Sequence, residues 1–153
     1  MKIKEVMKRE VISVKPTDNA LDVLNLLFKM QISGLPVIDD QGKLVGMFTE
    51  KNVLSFILPS YIEKIGNFIY EEDPKSIKGK FAYLSKMQIS QVMRRDVVTA
   101  REDSSLCEIA KDMLIRKARR IPVIDETGKV IGIVSRCDIL KALSKKAEAA
   151  VNA

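Results

Sequence analysis

The sequence predicts a mixed α/β (α+β) fold in which two β-α-β-β-α units pack as a pseudo-twofold pair, with a helical insertion between them. The first supporting observation is an internal repeat. Shifted by 86 positions (residue 89 placed on residue 3), the 153-residue chain overlays itself without a gap. PVIDDQGKLVG (residues 36–46) then falls on PVIDETGKVIG (residues 122–132). The second observation is that both copies show the same order of strand and helix patterns.

Each copy is predicted to begin with a brief strand, at Val11–Val14 in the first and Val97–Thr99 in the second. Apolar residues then recur at helical spacing and predict helices over Asn19–Gln31 and Ser105–Lys117. The second of these helices starts with Ser105 followed three residues later by Glu108, which is the sequence pattern of a capping box.

A pair of strands joined by a tight turn follows in each copy. The predicted strands are Leu35–Ile38, Leu44–Phe48, Ile121–Ile124 and Val130–Val134. Gly42 and Gly128 supply the backbone freedom that such turns need. A last helix is predicted to begin at Thr49 in the first copy and at Ser135 in the second.

The segment between the copies is too long for a plain linker. Pro59 is expected to break or restart a helix, and PSYIEKIGNFIY (residues 59–70) carries an apolar helical stripe. EEDPKS (residues 71–76) is typical of a loop, and FAYLSKM (residues 81–87) predicts another helical turn. We expect a lid or buttress packed on the pair, with ordinary core packing as the alternative. The predicted organisation is motif 1 (1–54), connector (55–88), motif 2 (89–145) and a C-terminal tail (146–153).

Composition argues against the common catalytic sites. The chain has no histidine and two cysteines, Cys107 and Cys137, which removes imidazole bases and predicts neither a zinc site nor a disulfide framework. No apolar run approaches the roughly 20 residues that a membrane span needs, so we expect a cytoplasmic protein with no membrane partner. The net charge is +6, with a cluster at RKARR (residues 116–120) that suits a phosphate-bearing partner or an ordinary solvated helix end.

The repeated unit resembles the CBS domain, named for cystathionine β-synthase. The resemblance rests on PVID..GK.(V/I)G and on the ending G-x-x-(T/S)-x-x-(D/N), each present twice, and it covers roughly residues 1–54 and 87–145. It implies a compact module that often dimerises and that senses rather than catalyses. It also implies an adenosyl ligand (AMP, ADP, ATP or S-adenosylmethionine) in the cleft between the motifs, with no catalytic cofactor. VSRCDIL and ARRIPVID look especially like nucleotide-binding repeats of the AMP-activated protein kinase regulatory subunit.

The residues themselves suit such a ligand. The Asp138 carboxylate can accept hydrogen bonds from two neighbouring ribose hydroxyls, and Ser135 and Arg136 stand at a helix start, where phosphate is favoured. The resemblance adds Arg119 and Arg120 near the phosphates. The predicted main site comprises Val98, Thr99, Ala100, Arg119, Arg120, Ile121, Pro122, Ser135, Arg136 and Asp138. The alternative is that the helix start is only capped and the arginines are only exposed charges.

The first copy departs from this pattern. Asn52 replaces the acid, and Ser33 and Gly34 replace the two arginines, although Lys51 can still meet a phosphate. The predicted weaker site comprises Ile12, Ser13, Val14, Gly34, Leu35, Pro36, Thr49, Lys51 and Asn52. We expect it to bind a less charged ligand such as adenosine, to bind weakly, or to stay empty.

The favoured function is a stand-alone, non-catalytic adenosyl-ligand sensor that forms a homodimer and signals through an effector protein not identified by the sequence. One alternative is nucleic-acid binding through the basic run at residues 116–120, which predicts affinity that falls steeply with salt. Another is a purely structural dimerisation module. No enzyme signature or metal-ligand pattern stands out.

Overall fold

The computed structural model describes residues 1–58 and 74–152. In chain order these residues form α1 (Ala20–Met30), β1 (Gly34–Ile38), β2 (Leu44–Thr49), α2 (Glu50–Ile57), α3 (Pro74–Leu84), α4 (Leu106–Ile115), β3 (Arg120–Ile124), β4 (Val130–Ser135) and α5 (Arg136–Val151). A single 3-10 turn begins each copy, at Ile3–Glu5 and at Ile89–Gln91. The helix-strand-strand-helix order in both copies confirms the predicted mixed α/β class.

The chain divides into two compact units. Unit 1 contains residues 1–12, 38–44 and 96–153, and unit 2 contains residues 13–37 and 45–95. Each unit therefore combines most of one copy with the 3-10 turn that begins the other copy. The repeat boundaries along the sequence and the unit boundaries in space differ for this reason.

In unit 1, β3 and β4 form an antiparallel hairpin in which Arg120 lies opposite Ser135 and Pro122 opposite Ile133. The head of the chain pairs with β4 through reciprocal 2.9 Å backbone bonds between Lys8 and Ile133. On the other edge Ala100 forms a parallel bridge, donating its N–H to the Pro122 carbonyl at 3.0 Å.

The brief strands predicted at the head of each copy are wrong. The segment at Val97–Thr99 pairs only through the bridge at the next residue, Ala100, and the segment at Val11–Val14 pairs only through a bridge from Val14 to Val37. Valine-rich sequence favours extended backbone, but a strand also needs a partner along its length.

Each unit has its own apolar core. The largest buried side chains of unit 1 are Ile3, Leu106, Met113, Ile121, Val123 and Val134. Those of unit 2 are Leu27, Val37, Phe48, Leu84 and Ile89. Full burial of a side chain of this size stabilises a fold by roughly 1.5–3 kcal/mol. The 3-10 turns belong to these cores, because Ile3 and Ile89 are both fully buried.

Helix α3 shows what the connector does. Its last residue, Leu84, is fully buried in the core of unit 2, and Phe81 packs against that core. The described part of the connector therefore shows core packing, the alternative to a lid or buttress, and a lid or buttress packed on the pair stays a prediction. The predicted loop EEDPKS is wrong at its end, because Pro74 opens α3 from the first helical position, where a missing N–H costs nothing. The predicted stripe in PSYIEKIGNFIY lies outside the described residues.

Two other predictions about helix ends also fail. The hydroxyl of Ser105 makes no capping bond to α4. Instead, the helix start pairs with the head of the chain, since Leu106 N–H donates to the Met1 carbonyl at 3.1 Å and Lys2 bridges Ser105. At the other end of the chain, α5 continues to Val151, so most of the predicted tail at 146–153 is helical.

The hairpin turns follow the sequence closely. Gly42 and Gly128 have φ of +81° and +87°, the left-handed conformation that glycine adopts without strain. The Asp125 carboxylate accepts hydrogen bonds from the Thr127 hydroxyl at 2.7 Å, the Thr127 N–H and the Lys129 N–H. These bonds, led by that of the Thr127 hydroxyl, hold the pKa of Asp125 below its ordinary value.

Candidate functional site

The start of α5 in unit 1 is closed by a reciprocal capping box. Ser135 N–H donates to Asp138 Oδ2 at 2.9 Å, and Asp138 N–H donates to Ser135 Oγ at 3.2 Å. The capping interpretation of this sequence is therefore confirmed. Such a cap stabilises a helix by about 1 kcal/mol. Because a carboxylate offers about four acceptor positions, the cap leaves acceptor capacity on Asp138.

The second oxygen of that carboxylate faces a lysine that sequence reasoning missed. Lys8 Nζ lies 3.7 Å from Asp138 Oδ1, a distance for an ion pair rather than a hydrogen bond. The Asp138 side chain is 10% exposed and that of Lys8 is 68% exposed. The backbone bonds between Lys8 and Ile133 hold the lysine there. Residues this far apart in sequence carry no local signal of the contact.

The apolar residues of the predicted main site lie along β3. Ala100 is joined to β3 by its bond to Pro122, and Ile121, Pro122, Val98 and Ala100 are buried. Thr99, which lies between two buried neighbours, is half-buried.

The two predicted phosphate arginines lie where β3 begins, beside the start of α5. Arg119 is exposed, and its carbonyl accepts the Arg136 N–H at 3.2 Å. Arg120 is half-buried opposite Ser135. The structure thus brings Arg119, Arg120, Ser135, Arg136 and Asp138 into one neighbourhood of unit 1.

The Arg136 side chain already has partners. Its Nε donates to the Ala118 carbonyl at 3.1 Å, and its Nη2 lies 3.5 Å from the Met113 carbonyl. Met113 is within the last turn of α4, whose carbonyls lack partners inside the helix. In this structure the Arg136 guanidinium therefore hydrogen-bonds the backbone at the end of α4. To bind a phosphate at the start of α5, it would have to leave these carbonyls.

The cap at the start of α2 in unit 2 has a different set of hydrogen bonds. Asn52 Oδ1 accepts both the Thr49 N–H at 3.1 Å and the Thr49 hydroxyl at 2.9 Å. Asn52 N–H donates to Thr49 Oγ1 at 3.3 Å. A single amide oxygen thus carries two bonds within the cap, whereas Asp138 carries one on one of its two oxygens. The cap leaves Asn52 less acceptor capacity for a ligand.

Gly34 occupies the position that Arg120 has in the second copy. A Cβ added to Gly34 would lie 2.7 Å from Thr49 Cγ2 and 3.0 Å from the Phe48 carbonyl oxygen. The Thr49 methyl group therefore fills the space that a side chain at residue 34 would need. Ser135 stands in the place of Thr49 in the second copy and has no methyl group.

The remaining residues of the predicted weaker site are only partly brought together. Val14 N–H donates to the Pro36 carbonyl at 3.1 Å, and Leu35 and Pro36 are buried. Lys51 and Ser13 are exposed. Ile12 is also exposed and belongs to unit 1, whereas the others belong to unit 2.

The described residues hold no cluster of three or more His, Cys, Asp or Glu side chains that could bind a metal ion. Cys107 and Cys137 are both exposed free thiols. None of the helices in residues 1–58 and 74–152 combines the length and apolar character required to cross a bilayer.

Both copies of the repeat match a known protein family. The sequence profile of the CBS domain matches residues 3–59 and 89–145. The chain belongs to the CBS domain family. Protein MJ1426 of Methanocaldococcus jannaschii is 34% identical over 158 residues, which cover 94% of this chain and 91% of that protein. Some longer proteins also match, and the chain spans 23% to 60% of their length.

Solved structures of CBS pairs share the fold. CBSX2 from Arabidopsis thaliana has been solved in complex with AMP and superposes with a TM-score of 0.74 at 26% identity, covering 95% of this chain and 98% of that one. The CBS domain pair of MJ0100, solved with 5′-methylthioadenosine and S-adenosyl-L-methionine, gives a TM-score of 0.68 at 25% identity, with coverage of 95% and 98%.

Proposed function

We propose that this CBS pair is a regulatory, non-catalytic module that binds an adenosyl ligand of the AMP, ADP, ATP or S-adenosylmethionine type. The ligands named in the CBSX2 and MJ0100 structures support the adenosyl class. The observation that carries the proposal for this chain is the state of Asp138, a largely buried carboxylate whose cap engages only one of its oxygens.

In this proposal the carboxylate of Asp138 accepts the ribose hydroxyls, and the buried edge at Ile121–Pro122 and Ala100 receives the adenine ring. Arg119 and Arg120 lie at the adjacent strand start, where their charge favours phosphate. The cap and the ribose do not exclude each other, because the carboxylate has acceptor positions for both.

The first copy provides the weaker site. Asn52 carries no charge and has its oxygen engaged twice by Thr49. Gly34 offers no side chain where the second copy has Arg120. We propose that this site takes a less charged ligand or stays empty at ligand concentrations that fill the first.

We further propose that the protein acts in the cytoplasm as a homodimer and passes its signal to an effector protein. Exposed apolar residues recur at equivalent positions of the two copies, with Phe28 matching Leu114 and Leu54 matching Leu140. The repetition at equivalent positions of both copies, rather than the exposure of any single residue, supports an association surface in this proposal.

Thermal melting with a panel of ligands tests the function. AMP, ADP, ATP, S-adenosylmethionine and a short DNA duplex are compared; a ligand at 100 times its dissociation constant stabilises by about 2.7 kcal/mol. We expect at least one adenosyl compound to raise the melting temperature. A protein that responds to none of them is a structural module, and a salt-sensitive response to DNA alone makes it a nucleic-acid binder.

Two variants with the same change in charge test whether the ligand-induced rise in melting temperature depends on Asp138. Asp138→Asn removes the charge but keeps a helix cap, because Asn52 already makes that cap in the first copy. We expect this variant to fold normally and to lose most of the ligand-induced shift. Asp103→Asn, an equal charge change on an exposed side chain of the same unit, should keep the shift. Equal responses of the two variants would remove Asp138 from the site.

A further inference from the structure

A groove in unit 1 has a different set of charges from the proposed nucleotide site. It lies between the 3-10 turn at Ile3–Glu5 and helix α5 and has a volume of about 600 Å³. Glu5 stands on one side, and Asp138, Lys141, Lys145 and Lys146 stand on the other. Of the residues predicted for the main site, only Asp138 lines this groove.

The two acids in the groove each accept a backbone N–H. The Glu5 carboxylate accepts the Lys2 N–H at 2.5 Å, and Asp138 accepts the Ser135 N–H while its other oxygen faces Lys8. Each acid therefore has one oxygen bound to backbone, and the nearest cation to Asp138 is Lys8 rather than a lysine of α5. Neither is placed to neutralise the lysines of α5.

Within the part of the chain that the structure describes, no carboxylate pairs with these three lysines. Across residues 1–58 and 74–152, the carboxylates lie more than 4.0 Å from the ammonium groups of Lys141, Lys145 and Lys146, whereas Lys4, Lys8 and Arg9 are ion-paired. Lys141 and Lys145 are four residues apart on one helix face, so their charges repel each other. The favourable end of the helix dipole reaches only the last turn and does not explain a lysine at position 141.

We propose that this groove binds a chain of two or more linked phosphates through Lys141, Lys145 and Lys146. Residues four apart on a helix are separated by about 6 Å along its axis, which suits several phosphates in a row better than one. The groove volume of about 600 Å³ leaves room for such a chain. The ligand is either free inorganic polyphosphate or the phosphate tail of a nucleotide, which share this chemistry.

Calorimetric titration with inorganic tripolyphosphate tests the groove directly. The native protein is compared with Lys141→Gln/Lys145→Gln and with Lys78→Gln/Lys86→Gln, which removes the same charge from exposed lysines of unit 2. We expect the groove variant to bind about tenfold more weakly, and the control variant to change less than twofold. All the substituted side chains are exposed, so melting curves should show that both variants fold.

Three results would overturn the proposal: no binding by the native protein, equal losses in both double variants, or loss only in Arg119→Gln/Arg120→Gln. Competition with ATP then assigns the source of the phosphates. If bound ATP blocks tripolyphosphate, the groove holds a nucleotide tail; if both bind together, it holds a free anion. The proposal does not rest on the adenosyl function, because failure of that function would appear as absence of adenosine and AMP binding in separate titrations.

Discussion

An arginine at position 34, the first-copy equivalent of Arg120, should destabilise the fold unless the methyl group of Thr49 is removed at the same time. In Gly34→Arg, the new Cβ lies 2.7 Å from Thr49 Cγ2 and 3.0 Å from the Phe48 carbonyl oxygen. Thr49 cannot turn its methyl group away without moving the hydroxyl that caps α2. Overpacking of this kind costs about 1–3 kcal/mol. We therefore expect Gly34→Arg to lower the free energy of unfolding by that amount.

Thr49→Ser should relieve most of this loss. Serine caps a helix at least as well as threonine, so the single change should be close to neutral. In the double variant the methyl contact is gone, as it is where Arg120 faces Ser135. We expect a coupling of at least about 1 kcal/mol between the substitutions at positions 34 and 49, well above the additivity error of about 0.5 kcal/mol.

Urea unfolding of the native protein, both single variants and the double variant measures this coupling, with circular dichroism as the signal. Additive effects would refute the reasoning that the Thr49 methyl group keeps residue 34 a glycine. A second readout concerns function. If the double variant folds, it should bind AMP more tightly at the first-copy site than the native protein does, because a cation then stands at the strand start.

Three further predictions follow from single contacts. Lys8→Met should lower the affinity for ATP about two- to fivefold relative to adenosine, because it removes a cation close to the site, whereas Arg9→Met on the same segment should leave the ratio of the two affinities unchanged. Gly132→Ala should lower the free energy of unfolding in urea by about 1–3 kcal/mol, because the added Cβ would lie 2.7 Å from the Met7 sulfur. Gly79→Ala, on an open helix surface, should instead raise it by about 1 kcal/mol. Equal effects of the two substitutions would contradict the packing described. Folding lowers the pKa of Asp125, so the stabilisation by its carboxylate is present above the unfolded pKa of about 3.8 and is lost as pH falls through the folded value. The difference in melting temperature between the native protein and Asp125→Asn should therefore shrink in acid. A difference that stays constant with pH would contradict this.

The sequence predicts the repeated helices and hairpins well because their signals are local. The hairpin turns need a glycine with positive φ at residues 42 and 128, and both have it. The starts of α2 and α5 carry a hydroxyl followed three residues later by Asn or Asp, and both form the expected capping box. Such patterns involve residues within one or two turns of each other, so the structures they predict do not depend on contacts with distant segments.

The failures share a different cause, which is pairing with a distant segment. Ser105 has a good capping pattern, but its helix start bonds to the head of the chain instead. The strand predicted at Val97–Thr99 has a partner only at the next residue. The sequence predicts a loop around Pro74, yet this residue begins a helix whose far end is buried. None of these outcomes could be read from neighbouring residues.

The candidate site shows both behaviours. The clustering of Arg119, Arg120 and Ser135 follows from the hairpin register and was predictable from the repeated motif. The position of Lys8 beside Asp138 was not predictable, because the head of the chain packs on the unit formed mainly by the other copy. The groove beside the lysines of α5 is not predictable for a related reason. The sequence predicts a helix end and tail there, and the groove is completed by Met1, Glu5 and Val6 at the head of the chain.

Calorimetric titration of the native protein with the adenosyl compound that most raises its melting temperature tests the central claim most directly. The account predicts one strong site per chain, lost in Asp138→Asn and little changed in Asn52→Ala. Two equal sites per chain, or a greater loss of affinity from Asn52→Ala than from Asp138→Asn, would contradict it.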